Sequence, residues 1–292
     1  MKKTVSIFLL LTALSLGAAA QEMSAAMPFV SIDRNPTTAA MAGTQTTSAL
    51  FNPAAIPFQA GDALFSYQLW APGKENHFNL MASIPFSSRF GLSVIGAYQA
   101  GKPYTVYTET GNEKGNFTPA DLMAGIGLGF AFTDFLSLGV KAVMANQKLA
   151  DDAKYTAFYA DVFVLFHSDK INAGAGVSAL GTPVKSGDQA YKLPMVIKGG
   201  ADYSPISGLK LAVDADYYLN LGFAASIGAQ YAFKDMVFAR AGYHIGTGKC
   251  PIPSHLALGA GFKWKGIHLD AAYLTASEYL ANTITVGLGY SF

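Results

Sequence analysis

Thr283-Ile284-Thr285-Val286-Gly287-Leu288-Gly289-Tyr290-Ser291-Phe292 alternates without a break. Ile284, Val286, Leu288, Tyr290 and Phe292 share one face, and Thr283, Thr285, Gly287, Gly289 and Ser291 share the other. A strand with a greasy face ending in aromatics and a small, polar opposite face suits lipid on one side and a lumen on the other. Working back along the chain, the same period of two recurs. Ile267, Leu269, Ala271 and Tyr273 oppose His268 and Asp270. Leu256, Leu258, Ala260, Phe262 and Trp264 oppose His255, Ala257, Gly259, Gly261 and Lys263. Val237, Ala239, Ala241, Tyr243 and Ile245 oppose Phe238, Arg240, Gly242 and His244.

Composition points the same way. Of the 292 residues 51% are hydrophobic and only 13% charged, against about a quarter charged in an ordinary soluble domain. After the first twenty residues, however, no apolar run reaches the roughly 18 residues that a membrane helix requires. A membrane protein without such helices has to close its backbone hydrogen bonds in a barrel. A soluble sandwich is the competing reading of alternating strands, but it would need a polar solvent face.

Period-two segments at 61–70, 76–85, 89–99, 120–132, 135–147, 154–167, 170–181, 193–204, 208–219, 222–233, 235–246, 254–264, 266–276 and 282–292 predict an all-β transmembrane antiparallel barrel of about 14 strands. Turn chemistry at Ser87-Ser88, Thr133-Asp134, Ser168-Asp169, Pro205-Ile206-Ser207, Lys234-Asp235 and Lys265-Gly266 marks one rim. Longer links at 71–75, 100–119, 148–153, 182–192, 247–253 and 277–281 mark the other, with Asn220-Leu221 the short exception. Short turns face the periplasm in such barrels and longer loops face outward.

Two further regions precede the barrel. Lys2 and Lys3, an apolar stretch from Val5 to Leu16 and Ala18-Ala19-Ala20 describe a secretory signal over residues 1–20. Its removal takes the formal charge from +1 to −1, so neither a nucleic-acid surface nor a polybasic anchor is indicated. Residues 21–60 carry Pro28, Pro36, Pro53 and Pro57, which interrupt any long element. Phe29, Val30, Ile32, Leu50 and Phe51 argue against a solvated tail, and Thr37–Gly43 suits a short helical turn. This region reads as a plug or hatch, with a periplasmic leader as the alternative; residues 61–292 form the barrel.

By parity the lumen face carries Lys141, Asp161, Lys198, Asp202, Lys210, Asp214, Asp216, Arg240, His244, His255, Lys263, His268 and Asp270. Facing lipid, each Lys or Arg would cost a few kcal/mol at mid-depth, so their inward placement follows from energetics. A self-neutralising network accounts for them; a substrate or ion path through the same residues is the alternative. Asp214 and Asp216 share a face, with Lys210 and Asp202 expected nearby in a neutralised cluster. No nucleophile–base pair or metal-ligand spacing emerges, and no cofactor is expected. Gly246-Thr247-Gly248-Lys249-Cys250 lacks the spacing and the Ser or Thr of a phosphate loop. Cys250 is the only cysteine, which excludes an internal disulfide. The alternating Gly125, Gly127 and Gly129 fit a crowded lumen face.

Ala40-Met41-Ala42-Gly43 and Ala49-Leu50-Phe51-Asn52-Pro53-Ala54, then Glu109-Thr110-Gly111 with Gly115-Asn116-Phe117 and Ala120-Asp121, follow in order. Leu193-Pro194 leading to Gly199 and Tyr203, Arg240-Ala241-Gly242-Tyr243 and Gly289-Tyr290-Ser291-Phe292 complete the set. In this order they resemble the PorV/PorQ family of Bacteroidota, within the wider group of barrels related to the FadL fatty-acid transporter. The resemblance implies a 14-stranded barrel with an N-terminal hatch that contains the motif residues Asn52 and Pro53, set in the outer membrane of a Gram-negative bacterium. It implies no catalytic residues. It also implies a role in type IX secretion or surface attachment, with secreted cargo C-terminal domains and other secretion-system proteins as partners besides outer-membrane lipid. One departure is that only the 100–119 link is long enough for an outer platform. The alternative is a FadL-like passive transporter of small hydrophobic molecules gated by residues 21–60, with Gly125, Gly127, Gly129, Gly287 and Gly289 leaving room for a ligand.

Overall fold

The computed structural model describes residues 25–70, 75–275 and 282–292; the expected signal at 1–20 lies outside them, as do most of the links at 71–75 and 277–281. Eighteen strands follow one another along the described chain. They are β1 (Asp62–Trp70), β2 (Glu75–Pro85), β3 (Phe90–Ala100), β4 (Tyr104–Tyr107), β5 (Glu113–Phe117), β6 (Ala120–Ala131), β7 (Leu136–Lys148), β8 (Lys154–His167) and β9 (Ile171–Gly181). Then come β10 (Val184–Ser186), β11 (Gln189–Tyr191), β12 (Val196–Tyr203), β13 (Leu209–Tyr218), β14 (Gly222–Phe233), β15 (Val237–Gly246), β16 (His255–Trp264), β17 (Ile267–Thr275) and β18 (Thr283–Ser291).

Fourteen of these form one closed antiparallel barrel, and β1 pairs with β18 from Asp62↔Ser291 to Leu69↔Ile284 to seal it. Closure leaves no free sheet edge, the condition for crossing hydrocarbon with strands. The remaining four are two small ribbons, β4–β5 and β10–β11. Period-two reading missed them because they sit inside links taken as loops and lack a lipid-facing apolar row.

The faces divide as alternation requires. Ile126, Leu128 and Phe158 point outward at 62%, 64% and 59% exposure, part of an apolar surface far larger than a soluble monomer tolerates. Inward residues on these strands and on β7 between them, Asp161 and Lys141 among them, are buried. Register is strongly specified here, because a slip of one residue would turn every charged side chain toward lipid.

The tight turns behave as their sequences dictate. Lys234 (φ 54°) and Asp235 (φ 53°), and Lys265 (φ 50°) with Gly266 (φ 86°), place both central residues in the left-handed region, matching the twist of the hairpins they join. Strand β12 starts at Val196 and not at 193, as alternation alone suggests. Pro194 has no N–H to give a ladder, and Met195 donates instead to the nearby Leu193 carbonyl at 2.8 Å.

Residues 25–60 lie against the inward face of the wall. They form a 3-10 turn (Pro28–Ser31), one short helix α1 (Pro36–Ala39) and a second 3-10 turn (Pro53–Phe58). Asn35 and Asn52 each cap one of the last two, accepting from Thr37 N and Ala54 N at 2.9 Å, with proline at the first helical position where its missing N–H is harmless. The predicted turn at Thr37–Gly43 is thus a helix one residue earlier, closing through Gly43 N to Thr38 O at 2.9 Å.

Candidate functional site

The inward face of the barrel and residues 25–60, which pack against it, make up the site. Ser137 Oγ donates to the Ala54 carbonyl, and Ser66 Oγ to that of Arg34 at 2.7 Å. Phe51 meets Phe163 edge to face at 5.4 Å. Small wall residues admit the segment: a Cβ on Gly129 would stand 2.0 Å from the Pro53 oxygen, and one on Gly139 2.1 Å from the Ala54 nitrogen. Gly287 is closed off by Pro36 and Leu64, and Gly289 by the His268 ring. The room expected for a ligand at these glycines is therefore taken by protein, because a segment that arrives inside the barrel needs backbone-to-backbone approach.

The inward charges sort into three pairs and one larger cluster. Lys141 reaches Asp161 at 2.9 Å, and its ammonium donates to the Phe51 carbonyl at 3.1 Å while lying 4.7 Å over the Phe51 ring. Lys198 pairs with Asp216, and Lys210 with Asp202 at 3.2 Å; Asn172 also donates to Asp202 at 2.9 Å. Arg240 holds Asp270 at 2.6 Å and donates to Gln230; His268 bridges Asp270 (2.7 Å) and Asp62 (3.0 Å). Lys263, half-buried, stands opposite His268 in the ladder. Buried pairs of this kind offset the large cost of desolvating each ion but add little net stability, whereas losing one partner is costly.

Asp214 departs from the expected cluster. Lys210 pairs with Asp202 instead, and one Asp214 carboxylate oxygen accepts from Gln45 N, Thr46 N and Thr46 Oγ1 at 2.9, 2.9 and 2.7 Å. This carboxylate tethers the inner segment to the wall. Asn52 extends the tether: fully buried, it donates to the Thr46 carbonyl at 2.7 Å while capping the turn opened by Pro53.

His244 and His255 are ladder partners whose rings stack at 5.0 Å. His244 Nδ1 bonds Ser226 Oγ at 2.8 Å, and His255 Nδ1 donates to the Pro253 carbonyl at 2.9 Å. Among the described residues no group of three or more His, Cys, Asp or Glu has the arrangement of a metal site.

Sequence reading missed Asp33 and Arg34. Arg34 is buried, and its guanidinium donates to the backbone carbonyls of Ile32 (2.8 Å) and Phe29 (2.5 Å); burial lowers its pKa. Burial likewise pushes the Asp33 carboxyl up to about 6, against the opposing hydrogen bonds from Thr38 and Asn35 N. The repeated Asn-Pro of Asn35-Pro36 and Asn52-Pro53 was the available signal: two capped turns mark an ordered segment, in which a charge has to be buried or bonded.

The wall has one interrupted seam. Strand β9 pairs with β8 up to Gly181, but its ladder to β12 ends at Ser178↔Val196. Ala160 pairs with Leu180 and Val162 with Val177, so Asp161 opposes two residues, Ser178 and Ala179. That bulge puts Ala179 at φ 57°, and Asp161 Oδ1 accepts its N–H at 2.8 Å. On the inside a cavity of about 70 Å³ touches Ala179, along with Ile32, Met123, Val143 and Tyr159. A second hollow, of about 280 Å³, touches Ala179 too, lined by Leu180, Leu193, Met195, Leu219 and Leu221. Ala25 reaches this hollow, and Ala26 N bonds the Lys192 carbonyl at 2.9 Å.

Compared by sequence, the chain matches no protein-family model and no curated protein. Compared by structure, it superposes on the toluene transporter TodX of Pseudomonas putida with a TM-score of 0.62 at 13% identity, covering 87% of this chain and 96% of that one. The toluene transporter TbuX of Ralstonia pickettii gives 0.63 at 13%, over 88% and 98%. A FadL homologue of Pseudomonas aeruginosa gives 0.57 at 11%, over 88% and 95%. The fold is that of the FadL-like barrels. At such identities the likeness concerns architecture.

Proposed function

We propose that this protein is a passive transporter of small hydrophobic molecules across the outer membrane of a Gram-negative bacterium, with residues 25–60 as its gate. The observation that carries the reading is the interrupted β9–β12 seam, where Ala179 borders both the inner cavity and the apolar hollow. A hydrophobic solute gains nothing from a wet pore, whereas an apolar recess in the wall keeps it out of water. Ala26 of the inner segment donates its N–H to the Lys192 carbonyl beside this seam. The toluene-transporting neighbours share the barrel and support the solute class by analogy of fold.

A pair of cysteines at Ala26 and Lys192, in a chain with Cys250→Ser, would lock the segment beside the seam. Uptake of toluene into proteoliposomes should stop on oxidation and return on reduction. Uptake indifferent to the lock would refute the gate and the seam together.

The secretion reading implied by the PorV/PorQ resemblance draws on one feature, the β4–β5 ribbon with Tyr104 and Tyr107 exposed at the long-loop rim. Under it, cargo C-terminal domains would contact that ribbon, and they would co-purify with the barrel from outer membranes.

A further inference from the structure

A recess of about 260 Å³ opens at the long-loop rim, where the outer ends of β1, β2, β3, β6 and β7 meet the inner segment. Pro28, Phe29, Trp70, Pro119 and Leu149 give it apolar walls. Glu75, Gln99 and Asp121 line it from three adjacent strands, β2, β3 and β6. Register sets their arrangement, since Gln99 is the ladder partner of Asp121 on one side and of His77 on the other. The Gln99 amide donates to Glu75 Oε2 at 2.9 Å and to Asp121 Oδ2 at 3.0 Å. Two carboxylates are thus gathered around one neutral side chain.

Their charge lacks a balancing partner. Among the described residues neither carboxylate has a lysine or arginine in ion-pair contact. Arg34 spends its guanidinium on the Phe29 and Ile32 carbonyls. His77 Nε2 lies 3.4 Å from Glu75 Oε2. The Gln68 amide already donates to Asp33 O and Thr285 Oγ1, so Gln68 Oε1 takes the His77 Nδ1 proton at 3.1 Å. A neutral His77 then has no proton for Glu75. One acceptor is bare as well: Gln99 is 8% exposed, and its Oε1 has no partner. Such an atom carries a desolvation penalty that a bound donor can relieve.

The chemistry of the occupant follows from these groups. Two carboxylates and an amide oxygen call for a cation with several protons to give, and an ammonium has three donors and no acceptor. A bare divalent ion suits the recess less well. Calcium takes roughly six to eight oxygens, and no group of three or more His, Cys, Asp or Glu among the described residues has the arrangement of a metal site. The apolar walls suit hydrocarbon, and the rings of Trp70 and Phe29 favour a cation beside them. The room exceeds that of a cavity of about 150 Å³ that accepts benzene.

We propose that this recess is a binding site for small primary ammonium ions with an apolar body. The ammonium sits among Glu75, Asp121 and Gln99, and the hydrocarbon lies against Trp70 and Phe29. The inference stands apart from the transport reading, because capture at the mouth requires no passage through the wall. A neutral alcohol of the same shape brings one proton in place of three and no charge, so the site discriminates against it.

Benzylamine and benzyl alcohol share a ring and differ in that group. Fluorine NMR of 4-fluorobenzylamine at neutral pH, with the intact protein in phosphatidylcholine nanodiscs, should show broadening that unlabelled benzylamine displaces and benzyl alcohol does not. Glu75→Gln and Asp121→Asn, each checked for a folded barrel by heat-dependent gel mobility, should each weaken binding at least about tenfold, the size of one charge-assisted hydrogen bond. Asp188→Asn, in the exposed turn between β10 and β11, should leave binding unchanged. Equal displacement by the alcohol would overturn ammonium recognition, and so would the absence of any displaceable broadening or undiminished binding in both carboxylate variants. Displacement by calcium chloride as effective as that by benzylamine would also overturn it, in favour of an inorganic cation. Toluene uptake into proteoliposomes, measured on the same preparation, reports separately on the transport reading.

Discussion

Replacing Asp214 by Ala should release the inner segment while leaving the barrel closed. The carboxylate accepts three hydrogen bonds from Gln45 and Thr46, two of them from backbone N–H groups. Bonds to a charged acceptor contribute about 1.5–3 kcal/mol each, but they share one oxygen and are not additive. Truncation also removes a buried charge whose desolvation was unfavourable. A net loss of about 3 kcal/mol in docking is therefore reasonable, which corresponds to a roughly 100-fold rise in the undocked population. Hydrogen exchange at Gln45 and Thr46 is the assay, since local opening sets its rate. Thr46→Val removes one donor of the three and should raise exchange only about fivefold, near 1 kcal/mol. Amides in β17 and β18, which make no contact with Asp214, serve as the internal control. If Asp214→Ala exchanges at Thr46 like the unaltered protein, the tether is not what holds the segment. If β17 and β18 loosen equally, segment and wall are one cooperative unit and no gate.

Two further outcomes follow from the same contacts. Gly129→Ala puts a methyl 2.0 Å from the Pro53 carbonyl, backbone that cannot rotate away; it should destabilise by at least about 1–3 kcal/mol in thermal unfolding, while Gly96→Ala, with open space, should be neutral. The Asp33 carboxyl, raised by burial to about 6 from 3.8, stabilises the fold in its protonated form. That contribution is complete below pH 3.8 and is lost as pH rises through about 6, up to about 3 kcal/mol in all. Asp33→Asn should flatten the dependence of melting temperature on pH across that window.

Much of the architecture is legible in the sequence. Fourteen barrel strands, their order and nearly all their ends follow from period two, because lipid on one side and a lumen on the other impose opposite demands on successive residues. The inward set from Lys141 to Asp270 follows from the same parity. Deviations arose where alternation stops carrying information: at Pro194, where a missing N–H delays β12, and in the two ribbons, where neither face meets lipid.

Parity assigns a face but cannot pair residues across strands. Whether Asp214 meets Lys210 or Thr46 depends on which part of the inner segment lies beside it, and that is a contact 168 residues apart in sequence. The glycines read as a crowded face, yet only the fold reveals that Pro53 and Ala54 do the crowding. The bulge at Ser178–Ala179 was equally hidden, since one extra residue in a strand leaves the local composition unchanged. Sequence alone determined the barrel and which face of each strand turns inward, because those depend on the solvent each side chain faces. Tertiary structure decided the tether, the seam and the carboxylate pair of the outer recess, because those depend on which distant residues are brought within the 3 Å reach of a hydrogen bond.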